Sequence, residues 1–273
     1  MTDHAVLLLR LAAPLQSWGT RSQFNRRDTA SEPTKSGITG LLAAALGRER
    51  GAPIDDLTSL RLGVRTDQPG SLLRDYHTAA DYHGNPLPAA QTNKKGQQKP
   101  TSPAKHTQVT QRYYLQDAVF LAACHGPRPL LQQLHESLRA PGFPLALGRR
   151  SCPPTGPVTL GVHDTDGQSD PLTQILTTQR WRAGQPALER HRRTADTPER
   201  IDLAATIESS EGDHTVTDVP VSFHPLHRRL TARRVNYTPL TVPTGLDPRP
   251  VHGTPGDRRQ TSSGHDPFAL LGW

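Results

Sequence analysis

Cysteine, methionine and the aromatics are scarce: two Cys, one Met, three Trp, five Phe and five Tyr in 273 residues. Two cysteines, Cys124 and Cys152, cannot build a disulfide scaffold or a cysteine-based zinc site, so a reduced, cytoplasmic setting is expected. No apolar run approaches the ~20 residues of a membrane span. Residues 5–13 are apolar enough for part of a secretory leader, but Arg10 interrupts them and no cleavage pattern follows, so membrane contact is not expected. With so few rings, any core is aliphatic and modest. The 22 Gly and 26 Pro fall short of the ~25–30% that marks a low-complexity chain, and a length of 273 leaves room for one or two domains.

Acidic residues are missing from two long stretches. None occurs between Gln91 and Gln116, where Lys94, Lys95, Lys99, Lys105 and Arg112 stand. None occurs between Val219 and Leu246, where Arg228, Arg229, Arg233 and Arg234 stand beside His224 and His227. Arg149 and Arg150 form a further pair, and Arg21, Arg26, Arg27 and Lys35 outnumber Asp28 and Glu32. The formal net charge is +7. Clusters this far apart suit a polyanion if folding unites them, and a solvated basic surface if it does not.

Hydrophobic patterning gives an α+β order. Ala5 to Leu11 reads as a strand buried on both faces. A helix is expected from Ser31, as cap, to Gly47, with Ile38, Leu41, Leu42, Ala45 and Leu46 on one stripe. Leu60 to Thr66 reads as a strand, Tyr114 to Cys124 as another, Pro127 to Arg139 as a helix, and Leu145 to Leu147 as a short last strand. This is a βαββαβ, ferredoxin-like (RRM-like) order, which many unrelated functions share. The connection over about 68–111 is far longer than the ~15 residues usual in a compact domain. It is basic, poor in apolar residues and broken by Gly96, Pro100 and Pro103, so it reads as a projecting arm with little structure of its own. Ile201–Ile207 and Thr215–Val221 suggest a hairpin. The expected division is 1–153, then a smaller, mainly β part over 154–239, then a Pro/Gly-rich tail over 240–273 without a core.

No familiar catalytic or cofactor signature emerges. Ser31 to Gly37 contains Lys35-Ser36, but a phosphate loop needs glycines where Thr34 and Thr29 stand. Thr34, Lys35 and Ser36 in a first helical turn suit a phosphate, and equally a well-capped helix. Thirteen histidines include no metal-ligand spacing, so no metal and no cofactor is expected. Lys105-His106 has the chemistry for metal-free RNA cleavage and also that of an ordinary basic loop. Trp18, beside Gln16 and Arg21, can stack on a splayed base or pack in a core.

Several motifs resemble, in order, the Cas-five subunits of type I CRISPR surveillance complexes, most closely the type I-E branch found in Cascade. These are LRLAAPLQSWG at 9–19, RDT at 27–29, PTKSGITGLLAAALG at 33–47, GVR at 63–65, PG at 69–70 and DYHT at 75–78. Thr107, RYYLQDAVF at 112–120, LGRRSCP at 147–153, DVPVSFHP at 218–225, Arg228-Arg229 and RRV at 233–235 follow. The match spans about 6–235. The resemblance implies an RNA-binding fold with a long hairpin thumb between its second and third strands, where the basic insert lies. It also implies a non-catalytic subunit that caps the 5′ handle of the CRISPR RNA (crRNA). Such a subunit touches the large and backbone subunits and meets target DNA only through the complex. Type I-C relatives instead cut precursor RNA themselves with Tyr, Lys and His, so a metal-independent endoribonuclease is the alternative. The expected RNA-contacting residues are Gln16, Trp18, Arg21, Arg26, Arg27, Thr34, Lys35, Ser36, Lys105, His106, Gln108, Arg112, Arg149, Arg150, Arg228, Arg229 and Arg234.

Overall fold

The apolar run near the start forms strand β1 (His4–Ala12) in the computed structural model, which describes residues 3–19, 25–80, 83, 85, 87–104, 106–165, 167, 169–193, 199–224 and 229–246. Leu7, Leu9 and Leu11 join one hydrophobic cluster and Val6 and Leu8 another, as the two-residue period of a strand requires. Burial on both faces is why the sequence shows a continuous run instead of alternation.

After β1 come β2 (Leu15–Gln16), β3 (Arg26–Arg27), α1 (Lys35–Ala45), α2 (Asp55–Thr58), β4 (Arg61–Gln68), β5 (Ser71–Ala80), β6 (Pro88–Thr92), β7 (Gln98–Pro100), β8 (Thr107–Gln116) and β9 (Val119–Pro127). Then follow α3 (Arg128–Arg139), β10 (Thr159–Asp164), α4 (Pro171–Thr178), α5 (Gln185–Arg192), β11 (Arg200–Glu208), β12 (His214–Ser222) and β13 (Arg229–Pro243). Seven strands pair antiparallel in the order β10-β1-β9-β4-β11-β13-β12. The molecule is mixed α/β and mostly antiparallel sheet. Because β11 pairs with β4, the strands of the second half extend the sheet of the first.

Helices α1 and α3 cover one face through Ile38, Leu41, Leu42, Leu131, Leu134 and Leu138. The opposite face is covered by α4, through Leu172 and Leu176, and by Trp181. Each buried Leu contributes about 1.5–3 kcal/mol relative to exposure. Helix α1 stops at Gly47, in the left-handed region at φ 69°, with Gly47 N–H on Ala44 O and Arg48 N–H on Ala43 O. That pair of bonds satisfies the last carbonyls.

Five sequence expectations need correction. The cap of α1 is Thr34, whose Oγ1 accepts from Gly37 N, and not Ser31. The strand expected over Tyr114–Cys124 divides at Asp117, which turns the chain with φ 57°. Leu145–Leu147 is not a strand, because Leu147 makes only isolated bonds, accepting from Ser17 N–H and donating to Cys152 O; β10 takes the place beside β1. Strands β11 and β12 do not form a hairpin, since the 15-residue β13 lies between them and pairs with both. The chain from Leu240 to Leu246 is no coreless tail: Leu240, Val242 and Leu246 are buried, and the rest of the expected tail, 247–273, lies outside the described residues.

The insert, expected to have little structure of its own, is instead ordered by pairing between β5 and β8, ten residues each, from Ser71↔Gln116 to Ala80↔Thr107. The short strands β6 and β7 pair beyond it, around a turn in which Asn93 Oδ1 accepts from Lys95 N and Gln97 N. The expected breakers lie where strands stop: Pro100 ends β7, Gly96 is in the turn, and Pro103 follows a cis peptide bond. Lys94, Lys95 and Lys99 lie along this part, and Lys95 and Lys99 are exposed. Among the described residues no helix is long and apolar enough to cross a membrane.

Candidate nucleic-acid interface

Strand β8 collects basic residues that are remote in sequence. It pairs with β5 on one side, and with β2 and β3 on the other. Arg26 and Arg27 lie opposite Gln111 and Arg112, and Asp75 lies opposite Arg112 from the β5 side. Successive residues of a strand face opposite ways, so Tyr113 and Tyr114 point to different faces of β8. Each carries an arginine: the Arg26 guanidinium lies 5.1 Å from the Tyr113 ring centre, and that of Arg149 lies 4.7 Å from the Tyr114 ring centre. Both distances fall within cation–π range.

Arg149 reaches this place because Gly148 crosses Ser17 closely. At φ 91°, a Cβ on Gly148 would stand 1.7 Å from Ser17 O, so only glycine fits. Arg149 then donates to Tyr113 O at 3.0 Å and Arg27 O at 2.6 Å. Its acceptors are carbonyls, not carboxylates, so its charge is held in place without being cancelled. Arg26 pairs with Asp28 at 2.9 Å, but with two-thirds of its side chain in water. Arg150 is exposed, Gln108 donates to Asn25 Oδ1 at 2.9 Å, Arg112 donates weakly to Thr110 Oγ1 at 3.4 Å, and His106 is exposed. The structure thus brings Arg26, Arg27, Gln108, Arg112 and Arg149 onto one sheet at the root of the basic arm.

Other expected contacts are corrected. Gln16 and Trp18 are fully buried: Trp18 Nε1 donates to Gln16 Oε1, and Gln16 Nε2 to Ala118 O and Leu11 O. The indole lies against Gly37, where an added Cβ would meet ring carbon Cε3 at 2.6 Å. No indole face is left for a base, so of the two readings of Trp18 the core one is correct.

The start of α1 is not an open phosphate site either. Lys35 N–H donates to Asp218 Oδ2 at 2.7 Å, which puts the protein's own carboxylate where an external anion would bind. Lys35 Nζ is buried against Glu208 at 2.7 Å, and Arg233 holds Asp218 through two bonds of 2.7 and 3.0 Å. Thr34 is buried at the cap, and Ser36, partly buried, bonds to its hydroxyl. Arg229 and Arg234 are exposed on β13, and Arg234 donates to Gly212 O; neither shares a described contact with the β8 cluster. Arg21, Lys105 and Arg228 lie outside the described residues.

Sequence reasoning misses Tyr113 and Tyr114, although rings interleaved with cations in an acid-free run are a usable signal. It misses the Arg65–Asp67 pair as well. That pair is fully buried, with bonds of 2.6 and 2.9 Å, and Arg65 also takes up the carbonyls of Leu176, Gln179 and Arg180 at the end of α4.

Known proteins resemble this chain in both sequence and fold. The family model described as "CRISPR-associated protein (Cas_Cas5)" matches residues 6–236, and the chain belongs to this Cas5 family. Within it, the chain is similar to the "CRISPR system Cascade subunit CasD" of Escherichia coli (strain K12), with 34% identity over 193 residues, 62% of this chain and 75% of that protein. Among solved structures, a chain titled "CRISPR RNA-guided surveillance complex" aligns with a TM-score of 0.65 and 32% identity, covering 87% of this chain and 91% of that one. A "Crystal structure of Cas protein" aligns with a TM-score of 0.60 and 38% identity, covering 88% and 98%. The family expected from the motifs is borne out.

Proposed function

We propose that this chain is a subunit of a type I-E CRISPR surveillance complex, acting in antiviral defence by holding the 5′ handle of the crRNA without cutting it. The observation that carries the reading is the gathering of Arg26, Arg27, Arg112 and Arg149 around β8, with Tyr113 beneath Arg26, in a chain similar to a Cascade subunit. Cations supply affinity for phosphates, and the partly exposed Tyr113 supplies a ring for an unstacked base, while Tyr114, buried in the core, orients Arg149. The order β10-β1-β9-β4, with α1 and α3 on one face, supports a ferredoxin-like core whose last strand, β10, lies past the expected boundary at 153, with the β5–β8 hairpin as its thumb. Strands β11, β12 and β13 then serve as the smaller β part, and the large and backbone subunits are the expected neighbours. Target DNA is met only through the guide.

Purifying the complex with Arg26→Gln and Arg150→Gln in this subunit tests the reading. Copurified guide should fall at unchanged subunit stability; full guide content would overturn it. Precursor RNA incubated with the chain and a chelator should stay intact. Specific cutting at the repeat, lost in His106→Ala, would make the chain the processing ribonuclease instead.

A further inference from the structure

On the side of the sheet opposite α1 and α3, a cavity of about 250 Å³ is bordered by four arginines: Arg10 of β1, Arg180 and Arg182 after α4, and Arg192 at the end of α5. Among the described residues its remaining lining is apolar or neutral, with Gln185 and Thr244 as polar members and no acidic residue. Arg182 is the central group. Its η nitrogen donates to Gln179 Oε1 at 3.0 Å, while its Nε is buried without a partner. Asp67, the carboxylate that acts on Arg182, is committed elsewhere: it holds Arg65 with both oxygens and accepts Arg182 N–H at 2.6 Å. Burial first, then the charges of Arg180, Arg10 and Arg65, hold Arg182 below the ordinary arginine range, against the pull of Asp67.

A buried donor without a partner and four like charges around one cavity both cost stability, and one oxyanion removes both costs. We propose that this pocket is a second anion site, separate from the β8 surface, that takes a phosphate group. Guanidinium forks match the paired oxygens of a phosphate, and the cavity has room for one or two such groups. The pocket adjoins the arm: Gly184 N donates to Gln68 Oε1, and Gln68 Nε2 to Asp117 Oδ2, at the turn between β8 and β9. The phosphate therefore has two possible sources, a phosphodiester of an RNA strand passing the arm or a free diphosphate-bearing small molecule.

The full chain, titrated calorimetrically with pyrophosphate at constant ionic strength, provides the test. Arg10→Gln and Arg182→Gln should each weaken binding about tenfold, the value of one charge-assisted contact. Because each substitution removes repulsion, the anion-free variants should melt at or above the wild-type temperature while losing the rise that pyrophosphate gives. Displacement of pyrophosphate by guide RNA assigns the site to a phosphodiester; no displacement assigns it to a free phosphate compound. Pyrophosphate binding that is absent, or equal in wild type and both variants, overturns the proposal. If Arg182→Gln does not fold, Arg10→Gln, on the half-exposed rim, decides alone.

Discussion

The start of α1 and the middle of β8 both concentrate cations, with opposite results. At α1, Lys35 and Arg233 are buried within 2.7 Å of Glu208 and Asp218, carboxylates from β11 and β12. On β8, Arg149 is fixed by carbonyls and a ring, and Arg26 by an exposed carboxylate and a ring. The first arrangement cancels charge to join the two halves of the fold; the second keeps charge and fixes its direction. A basic residue thus becomes structural when a distant acid reaches it in a dry setting, and remains available when its partners are neutral or wet.

Breaking the α1 side should have the largest effect. Asp218→Ala leaves Arg233 and the Lys35 N–H buried without their carboxylate, and loss of one partner of a buried pair costs about 3–5 kcal/mol. Chemical denaturation should show that loss, with guide affinity of the remaining folded protein unchanged. Trp18→Ala should cost about the same, ~3–5 kcal/mol for a large buried ring, and not act selectively on RNA. A stable Trp18→Ala protein with weakened guide binding would restore the stacking role. Arg26→Gln should leave the denaturation midpoint essentially unchanged, as loss of an exposed pair usually does, while lowering guide affinity.

The smallest effect concerns pH. Burial holds the Glu32 carboxyl above its ordinary value of 4.5, against the bonds from Thr206 and the charge of Arg233. The folded protein then keeps the proton longer than the unfolded chain, so this group's contribution falls as pH rises from 4.5 through the raised value. Glu32→Gln should remove that decline from denaturation midpoints measured across the same range; an unchanged slope would show that Glu32 does not set it. Burial likewise pushes the Cys124 thiol up to about 12, so thiol reagents should label it only after unfolding.

Local elements are legible where local chemistry decides them. The stripe Ile38, Leu41, Leu42 and the run Ala5–Leu11 point to α1 and β1, because period and burial are written in neighbouring residues. The place of β13 between β11 and β12 is not legible, since pairing of sequence-remote strands leaves no local mark. Lys35 looks like a phosphate ligand for the same reason: its partners lie more than 170 positions away. Arg26, Arg112 and Arg149 stand out as basic clusters, and folding supplies what composition cannot, the shared strand that unites them.

The salt dependence of guide binding tests the central claim most directly. With single-stranded RNA, log affinity should fall against log salt by about 0.7 for each phosphate neutralised. Relative to wild type, a complex carrying Arg26→Gln and Arg150→Gln should show a slope shallower by ~0.7 for each phosphate that these arginines neutralise, while Arg229→Gln should leave it unchanged. Equal slopes in wild type and the Arg26→Gln, Arg150→Gln complex would contradict the assignment of the β8 surface to the guide.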